Sequence, residues 1–571
     1  MCIRDRYRSA GAASQGTSIE VVALGVNGYM PAIRSMFDSR SVSVLDRYFC
    51  PPMETDADAA GPAPVDTGAR FDVRQDGRLA IRQGARIVGH LVAPGQGDWL
   101  VTTPEGLFDG SPAGWDLLRW AGEGLDTLTA EAYFREFYQP GLLADLVNGR
   151  QLRPVSHMED RDRRTPTIDL QLLRAEDDAV WVRAGITEGR GGQMGHPGAG
   201  VRDLRVLRNG RLVHAVRGDL QLAPDGTGAV EVRVPLLPGD NRLIAYAFNR
   251  DDVKSLDAAL DVSLAQPPRT GVTYVLAVGI NRYVNPEFNL KYAAPDATFF
   301  ADALAAAQRS RGTPVEAVTL TDAEATKTTI GLALDRLAGR STGPLPVGAP
   351  SSLSRLRAVG PNDSVIVYFA GHGISDGDRF HLIPADMAYS GPRNDVEAAI
   401  PLLLTRTLSD ADLERAFDAM DARHLLLVID ACQSGQALEL ADPRPGPMNS
   451  RGLAQLAYDK GMSILTASQA HEAALESERL GHGYLTFALV EEGLRRMSAD
   501  RLPADGTLTA DEWFAHAVSR VPELQAEAMA DAPHAGRLLR FERGARVQTP
   551  RVFARRDATG PAFVVAGGRP Q

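Results

Sequence analysis

From about residue 272 onward, apolar runs alternate with segments of helical periodicity, and this rhythm constrains the fold more than any other feature. The runs are continuously apolar, as strands buried on both faces are, and the segments between them carry apolar residues at helical spacing. This pattern predicts an α/β domain with a mostly parallel sheet. The predicted strands are TYVLAVGI, VEAVTL, DSVIVYFA, HLLLVIDA and MSILTAS, the predicted helices span 296–308, 328–337, 410–420 and 484–497, and a capping box at Thr509 and Glu512 predicts the start of a last helix.

The other regions of the 571-residue chain differ in composition and in predicted secondary structure, as is expected of a multidomain protein. Residues 1–66 are a poorly defined segment ending in a linker rich in Pro, Ala and Asp, and residues 67–160 are β-rich. Residues 165–266 hold short alternating strands with NG and PDG turns, which predicts an immunoglobulin-like β-sandwich. The α/β domain spans 272–545 and a tail spans 546–571. The opening residues show no periodicity, which suggests a fragment of a larger protein.

Charge and cysteine content exclude several classes of function. A net charge of -11 argues against nucleic acid or an anionic membrane as partner. The 3 cysteines are too few for a disulfide framework or a Cys-rich zinc site, so we expect a reduced, cytoplasmic protein. We find no signal peptide, and no apolar run approaches the roughly 20 residues that a membrane span needs.

Two side chains of residue types that can take part in catalysis follow predicted strands. His372 lies between glycines in VIVYFAGHG, and Cys432 lies in LLLVIDACQSG. Because ligands and catalytic groups collect beyond the carboxyl ends of parallel strands, the two side chains could meet and supply a nucleophile and its base. Taken alone, each has a simpler interpretation, Cys432 as a core residue and Gly-His-Gly as a turn. A second Gly-His-Gly, around His482, follows polar residues and ranks below the first.

These motifs resemble the caspase/metacaspase superfamily of cysteine peptidases. YVLAVGINRY with LKYAAPDATFFADAL resembles the first strand and helix of that family, FAGHG and IDACQSG resemble its His and Cys loops, and LTASQAHEAALE with GHGYLTFALVEEGL resembles a later strand and helix. The resemblance implies a caspase-haemoglobinase-like fold with three layers over about 250 residues, and it does not extend before about residue 270.

The resemblance also implies roles for individual residues. His372 matches the general base and Cys432 the nucleophile, and the backbone N–H groups of Gly373 and Cys432 match the oxyanion-binding positions. Asp430 stands where animal caspases have Gln, and with Asp296 it matches the acidic residues lining a metacaspase pocket for Arg or Lys at P1, the residue before the cleaved bond. The simpler interpretations are a strand-end cap for Asp430 and a residue of a helix N-terminus for Asp296.

Some positions depart from the metacaspase pattern. Ala370 replaces a serine that often precedes the catalytic His by two residues. The loop after His372 is too short to match the calcium site of that family, so we expect no metal and no cofactor, although calcium dependence remains open. The simplest interpretation of the acids there is as turn residues; they are Asp376, Asp378 and Asp386. Asp505 hints at a calcium loop, but the capping box explains that stretch.

The sequence therefore predicts a cysteine endopeptidase that cleaves after Arg or Lys. The Pro- and Arg-rich stretch after Cys432 makes Arg444 and Arg451 candidate self-cleavage sites. The segment from DWLVTTPEG to YFREFYQPGLL resembles the end of the β-propeller regions that precede bacterial caspase-like domains, so the N-terminal β domains could bind a protein partner or form a structural layer. The alternatives are a catalytically silent caspase-like scaffold and a cysteine hydrolase of non-peptide amides.

Overall fold

The computed structural model describes residues 69–74, 78–95, 98–111, 113–121, 127–147, 149, 160–190, 198–376, 379–391, 401–433, 451–467, 476–501, 503–530, 548, 550–555 and 560–568. These residues form two compact units, one comprising the described residues up to Arg163 together with Ala530, and the other running from Arg164 to Met529 and from Gln548 onward. The predicted sandwich and the predicted α/β domain lie together in the second unit.

The first unit is built on an antiparallel meander of five strands, with a two-stranded hairpin and two short helices. Its core is aromatic, with Phe108 and Trp115 in edge-on contact and Phe134 stacked on Tyr138. The resemblance of this region to part of a propeller stays a prediction. The strands are β1 (Ala69–Val73), β2 (Leu79–Gln83), β3 (Arg86–Gly95), β4 (Asp98–Thr102), β5 (Phe108–Gly110), β6 (Arg119–Ala121) and β7 (Thr127–Thr129), and the helices are α1 (Phe134–Phe137) and α2 (Leu142–Val147).

The second unit begins with two antiparallel sheets, of four and three strands, that share one apolar core. Alternate residues enter this core, for example Val180, Val182 and Ala184, as period-2 strands with one buried face require. The four-stranded order is β11-β10-β13-β14 and the three-stranded order is β12-β9-β8. The strands are β8 (Thr167–Ala175), β9 (Ala179–Thr187), β10 (Arg202–Arg208), β11 (Arg211–Asp219), β12 (Thr227–Pro235), β13 (Gly239–Phe248) and β14 (Ala258–Leu264).

The rest of the second unit is built on a larger, mostly parallel sheet, as the apolar runs predict. Its main order is β16-β15-β17-β20-β21-β25, parallel except at β25, and β18 and β19 extend it beside β17. Its principal strands are β15 (Thr273–Gly279), β16 (Val315–Thr321), β17 (Ser364–Asp376), β20 (His424–Gln433) and β21 (Ser463–Thr466). Its shorter strands are β18 (Arg379–Leu382), β19 (Leu408–Ser409) and β25 (Arg551–Phe553). Two separate two-stranded sheets are formed by β22 (Glu476–Ser477) with β23 (His482–Gly483) and by β24 (Thr507–Thr509) with β26 (Val564–Gly567).

The predicted helices of this part form, one of them with a change of type, and a further helix over Arg451–Lys460 was not predicted. The helices are α3 (Ala293–Ser310), α4 (Lys327–Leu337), α5 (Asp410–Asp418), α6 (Arg451–Lys460), α7 (Tyr484–Thr486) and α8 (Ala510–Ala530). The predicted helix 484–497 continues after α7 as a π-helix over Phe487–Arg495. The fully buried Trp513 of α8 donates its indole N–H to the carbonyl of Leu489 in that wide stretch, at 2.7 Å. Thr509 and Glu512 form the predicted capping box.

Charged contacts fix the small sheets against the large one within the second unit. Arg208, 1% exposed, donates two hydrogen bonds to Asp421, at 2.7 and 3.2 Å. The buried Lys460 of α6 donates to the carbonyl of Leu212 at 2.8 Å, and Tyr246 donates its hydroxyl to Asp459 at 3.1 Å. In the described ranges, no helix is both long and apolar enough to cross a membrane.

Candidate active site

Two adjacent strands of the large sheet bring the backbone of His372 and Cys432 together. The parallel register between β17 and β20 runs from Ser364 with His424 to Gly373 with Gln433, and it pairs His372 with Cys432. Neighbouring strands lie about 4.8 Å apart, so the two α-carbons are immediate neighbours although 60 residues separate them in sequence. Cys432 lies at the carboxyl end of β20, and His372 lies where the parallel pairing of β17 with β20 ends, one residue before its last pair.

The imidazole of His372 is buried and held by a backbone carbonyl. Its Nε2 lies 2.7 Å from the carbonyl oxygen of Phe288, the last residue of a short 3₁₀ turn. A carbonyl only accepts hydrogen bonds, so Nε2 carries a proton, and in the neutral form of the ring Nδ1 would be the basic nitrogen. The ring of Tyr283 packs on the imidazole, and its hydroxyl accepts the backbone N–H of His372 at 2.9 Å.

The glycines around His372 make room for aromatic side chains. The sequence suggests that they allow a sharp turn after Ala370, but β17 continues through them to Asp376, and neither has a positive φ. A Cβ at Gly371 would lie 2.9 Å from the hydroxyl oxygen of Tyr283, and one at Gly373 would lie 2.5 Å from the ring of Phe380. Glycine is therefore needed here for close packing.

Asp430 lies two residues before Cys432 and ends a chain of hydroxyl groups. Thr486 donates to its carboxylate at 2.7 Å, and the hydroxyl of Tyr368 lies 2.6 Å from that of Thr486 and 3.4 Å from the carboxylate. Burial, and secondly the charge of Asp296, raise the pKa of Asp430 to about 7. A cation that entered this site would be attracted to the carboxylate and would lower that pKa.

Asp296 lies in the first turn of α3 and is 2% exposed. Its carboxylate accepts the backbone N–H of Gly483 at 2.8 Å and pairs with Nδ1 of His482, whose ring stacks on Phe299. Burial raises the pKa of Asp296, and the hydrogen bond from His482 opposes that rise. The second Gly-His-Gly therefore partners an acid of the candidate site. Sequence reasoning missed this pairing because 186 residues separate the partners.

The other predicted residues have local contacts of their own or lie outside the described residues. Asp386 accepts the backbone N–H of Lys327 at 2.9 Å at the start of α4, and Asp505 accepts that of Thr507 at 2.8 Å. Arg451 is the first residue of α6. Asp378 and Arg444 lie outside the described residues. Within the described ranges, no three His, Cys, Asp or Glu residues are grouped as metal ligands would be.

A parallel sheet with His and Cys at neighbouring strand ends is a framework that suits cysteine hydrolases. Residues 351–528 match the family model of the caspase domain. Residues 351–528, within the C-terminal half, therefore match a caspase domain, as the motifs predict, and at the level of the family this supports a caspase-like cysteine peptidase. Asp296 and β15 precede the matched range.

Comparison with curated protein sequences gives no match. Among solved structures, a polysaccharide deacetylase from Bacillus cereus is 9% identical at a TM-score of 0.12, with 36% of this chain and 51% of that chain covered. A protein assigned as a polysaccharide deacetylase from Bacillus anthracis is 8% identical at a TM-score of 0.10, with 46% and 81% covered. At such low TM-scores these structures say nothing about the fold or chemistry of this chain.

Proposed function

We propose that the chain is a caspase-like cysteine endopeptidase that hydrolyses peptide bonds after Arg or Lys. The observation that carries the proposal is the register pairing of His372 with Cys432 at the carboxyl end of the parallel pairing between β17 and β20. The carbonyl of Phe288 supports it further, because it fixes the imidazole in the tautomer that a general base requires.

In the proposed reaction, Nδ1 of His372 accepts the thiol proton of Cys432, and the thiolate attacks the carbonyl carbon of the substrate. The backbone N–H groups of Gly373 and Cys432 stabilise the negative oxygen that forms. The C–N bond then breaks, and His372 returns the proton to the leaving amine. A water molecule, deprotonated by His372, hydrolyses the thioester and frees the new carboxyl group.

Asp296 and Asp430 are proposed to select the basic side chain before the cleaved bond. Burial raises the pKa of both carboxyl groups, and the charge of Asp296 adds to the rise at Asp430, which has no cationic partner among the causes of its shift. An Arg or Lys side chain would supply that cation, whereas an acidic side chain would be repelled. Substrate binding at neutral pH would then release a proton from the pair.

Self-processing is proposed at Arg444 in preference to Arg451. A protease binds its substrate in an extended conformation, and Arg451 begins the helix α6, which would have to unwind first. Mass spectrometry of the purified protein should find a fragment ending at Arg444, and Cys432→Ala should abolish it. An active chain that remains intact would refute self-processing and leave cleavage of other proteins unaffected.

The N-terminal β regions are proposed to serve protein recognition or regulation. We interpret the two small sheets as an immunoglobulin-like sandwich, a fold that presents loops at its ends to partners. The hydrogen bonds from Arg208 to Asp421 and from Lys460 to Leu212 support a sandwich that is fixed on the catalytic region.

The test is hydrolysis of matched fluorogenic peptides with Arg, Lys or Asp at P1, each with and without calcium. We expect cleavage after Arg and Lys, loss of at least about 10³-fold in kcat for Cys432→Ala, and full activity for the control Cys50→Ala. Selective cleavage after Asp would refute the proposed pocket. If no peptide is cleaved in a manner that depends on Cys432, the catalytically silent scaffold becomes the better explanation of the fold.

A further inference from the structure

A cavity of about 190 Å³ lies at the amino-terminal edge of the large sheet, the edge opposite His372. The β10–β11 turn, the first residues of β20, the start of α8 and the residues before β26 form its walls. Small-molecule pockets usually measure about 300–1,000 Å³, so this cavity suits a smaller ligand. The proposed peptidase mechanism makes no use of it.

Arginine is the most frequent residue type in the lining of the cavity. Arg208 is paired with Asp421 at 2.7 Å, and Arg555 lies 3.7 Å from Asp257. The other two lining arginines, Arg211 and Arg423, form no ion pair within the described part of the chain. These two guanidinium groups are therefore the cations of the lining that lack an ion-pair partner in the described residues.

One carboxylate also lines the cavity, that of Asp511. It acts on Arg211 through its charge without forming an ion pair, and it leaves the lining with more positive than negative groups. His424 completes the polar lining, and its pKa is lowered well below the usual range by burial and then by Arg211 and Arg423. It is therefore neutral at pH 7 and adds no positive charge.

The two unpaired guanidinium groups are poorly solvated. Burial lowers the pKa of Arg211 to about 10, and it lowers the pKa of Arg423 as well. Arg211 donates a hydrogen bond from its Nε to the carbonyl oxygen of Arg423 at 3.1 Å, which leaves its terminal nitrogens for another acceptor. The buried Nε of Arg423 has no hydrogen-bond partner in the ranges described. Cations removed from water without a counter-charge are costly, and a bound anion would offset that cost.

We propose that this cavity binds a small tetrahedral oxyanion, either inorganic phosphate or the phosphate group of a monoester, between Arg211 and Arg423. The planar guanidinium fork matches the oxygen spacing of phosphate, and two such forks match its charge at neutral pH. Arg211 belongs to the small sheets and Arg423 precedes β20. The anion therefore bridges the two parts of the second unit.

The test is calorimetric titration of the full chain with inorganic phosphate, with chloride adjusted to keep the ionic strength constant. We expect one phosphate per chain and a saturable rise in Tm, because a ligand that binds only the folded state stabilises it. Arg211→Gln and Arg423→Gln should each weaken binding at least tenfold. The control Arg217→Gln removes an exposed arginine that has its own acidic partners, and it should leave binding unchanged.

A parallel titration with phosphoserine distinguishes the two sources of the anion. Binding of both ligands at one site supports a phosphomonoester site, and binding of inorganic phosphate alone supports a free-phosphate site. Absence of binding heat in the wild type overturns the proposal even if the variants fail to fold. A rise in Tm that does not saturate, or that both variants share, also overturns it, because phosphate salts stabilise folded proteins generally. Peptidase activity is not needed for any of these measurements.

Discussion

Replacing Asp430 with asparagine should stabilise the folded chain at neutral and alkaline pH. The side chain keeps its shape, and the amide oxygen can still accept the hydroxyl of Thr486. The substitution removes a carboxyl group whose pKa burial and the charge of Asp296 raise from 3.8 to about 7. Because the folded state favours the protonated carboxyl, the contribution of Asp430 to the free energy of unfolding is greatest below pH 3.8. This contribution is lost as the pH rises to about 7.

The size of this effect follows from the two pKa values. A difference of roughly three units corresponds to about 4 kcal/mol of unfolding free energy once both states are ionised, an upper value for a group that is not fully enclosed. Between about pH 5.5 and about pH 8, the wild type should lose about 2 kcal/mol relative to Asp430→Asn.

Urea unfolding of both proteins across this pH range, followed by circular dichroism, measures the difference directly. The advantage of Asp430→Asn should grow with pH and level off above about pH 8. Hydrolysis after Arg should fall in the same variant, mainly through a higher KM. An advantage that is constant with pH, or a variant less stable than the wild type at pH 8, would refute the account of a crowded, cation-free carboxyl.

Three further predictions concern the packing around the site and the small sheets. Arg208→Ala should lower the free energy of unfolding by about 3 kcal/mol by leaving Asp421 unpaired, and a urea-unfolding cycle with Asp421→Asn should show strong coupling. Burial lowers the pKa of Lys460 to about 8, so the wild type should gain stability as the pH rises from about 8 to 10.5, and Lys460→Met should lose this gain. Parallel unfolding curves for the two proteins in that range would contradict this. Gly373→Ala should abolish peptide hydrolysis, because its Cβ would lie 2.5 Å from the ring of Phe380, and Phe380→Ala in the same chain should restore part of it. Full activity of Gly373→Ala alone would show that the strand shifts freely.

Local pattern predicts the principal strands of the large sheet and most of its helices, but not α6 or the shorter strands β18, β19 and β25. Continuous apolar runs marked the principal parallel strands, and the capping box at Thr509 and Glu512 forms where its spacing predicts. The pairing of His372 with Cys432 follows once β17 and β20 are neighbours. These features depend on periodicity and on short spacings, which a single sequence displays.

The features that could not be predicted depend on distant partners. The carbonyl of Phe288 that holds His372 is a backbone group, so the residue type at that position does not indicate this contact. Tyr283 and Phe380 pack closely against the glycines of β17, and the role of His482 depends on Asp296. In each case the physical cause is tertiary packing.

The contacts of Lys460 in α6 with the small sheets have a consequence for how the small sheets and the large sheet can be inherited. Lys460 is 1% exposed and donates to a carbonyl of β11, and α5 receives the hydrogen bond from Arg217 at Glu414. Recombination that moved only the residues after 272 to another gene would separate these groups from their partners and expose the surface between them. The small sheets and the residues after 272 should therefore be inherited together, and relatives that lack the small sheets should carry different residues at 414 and 460.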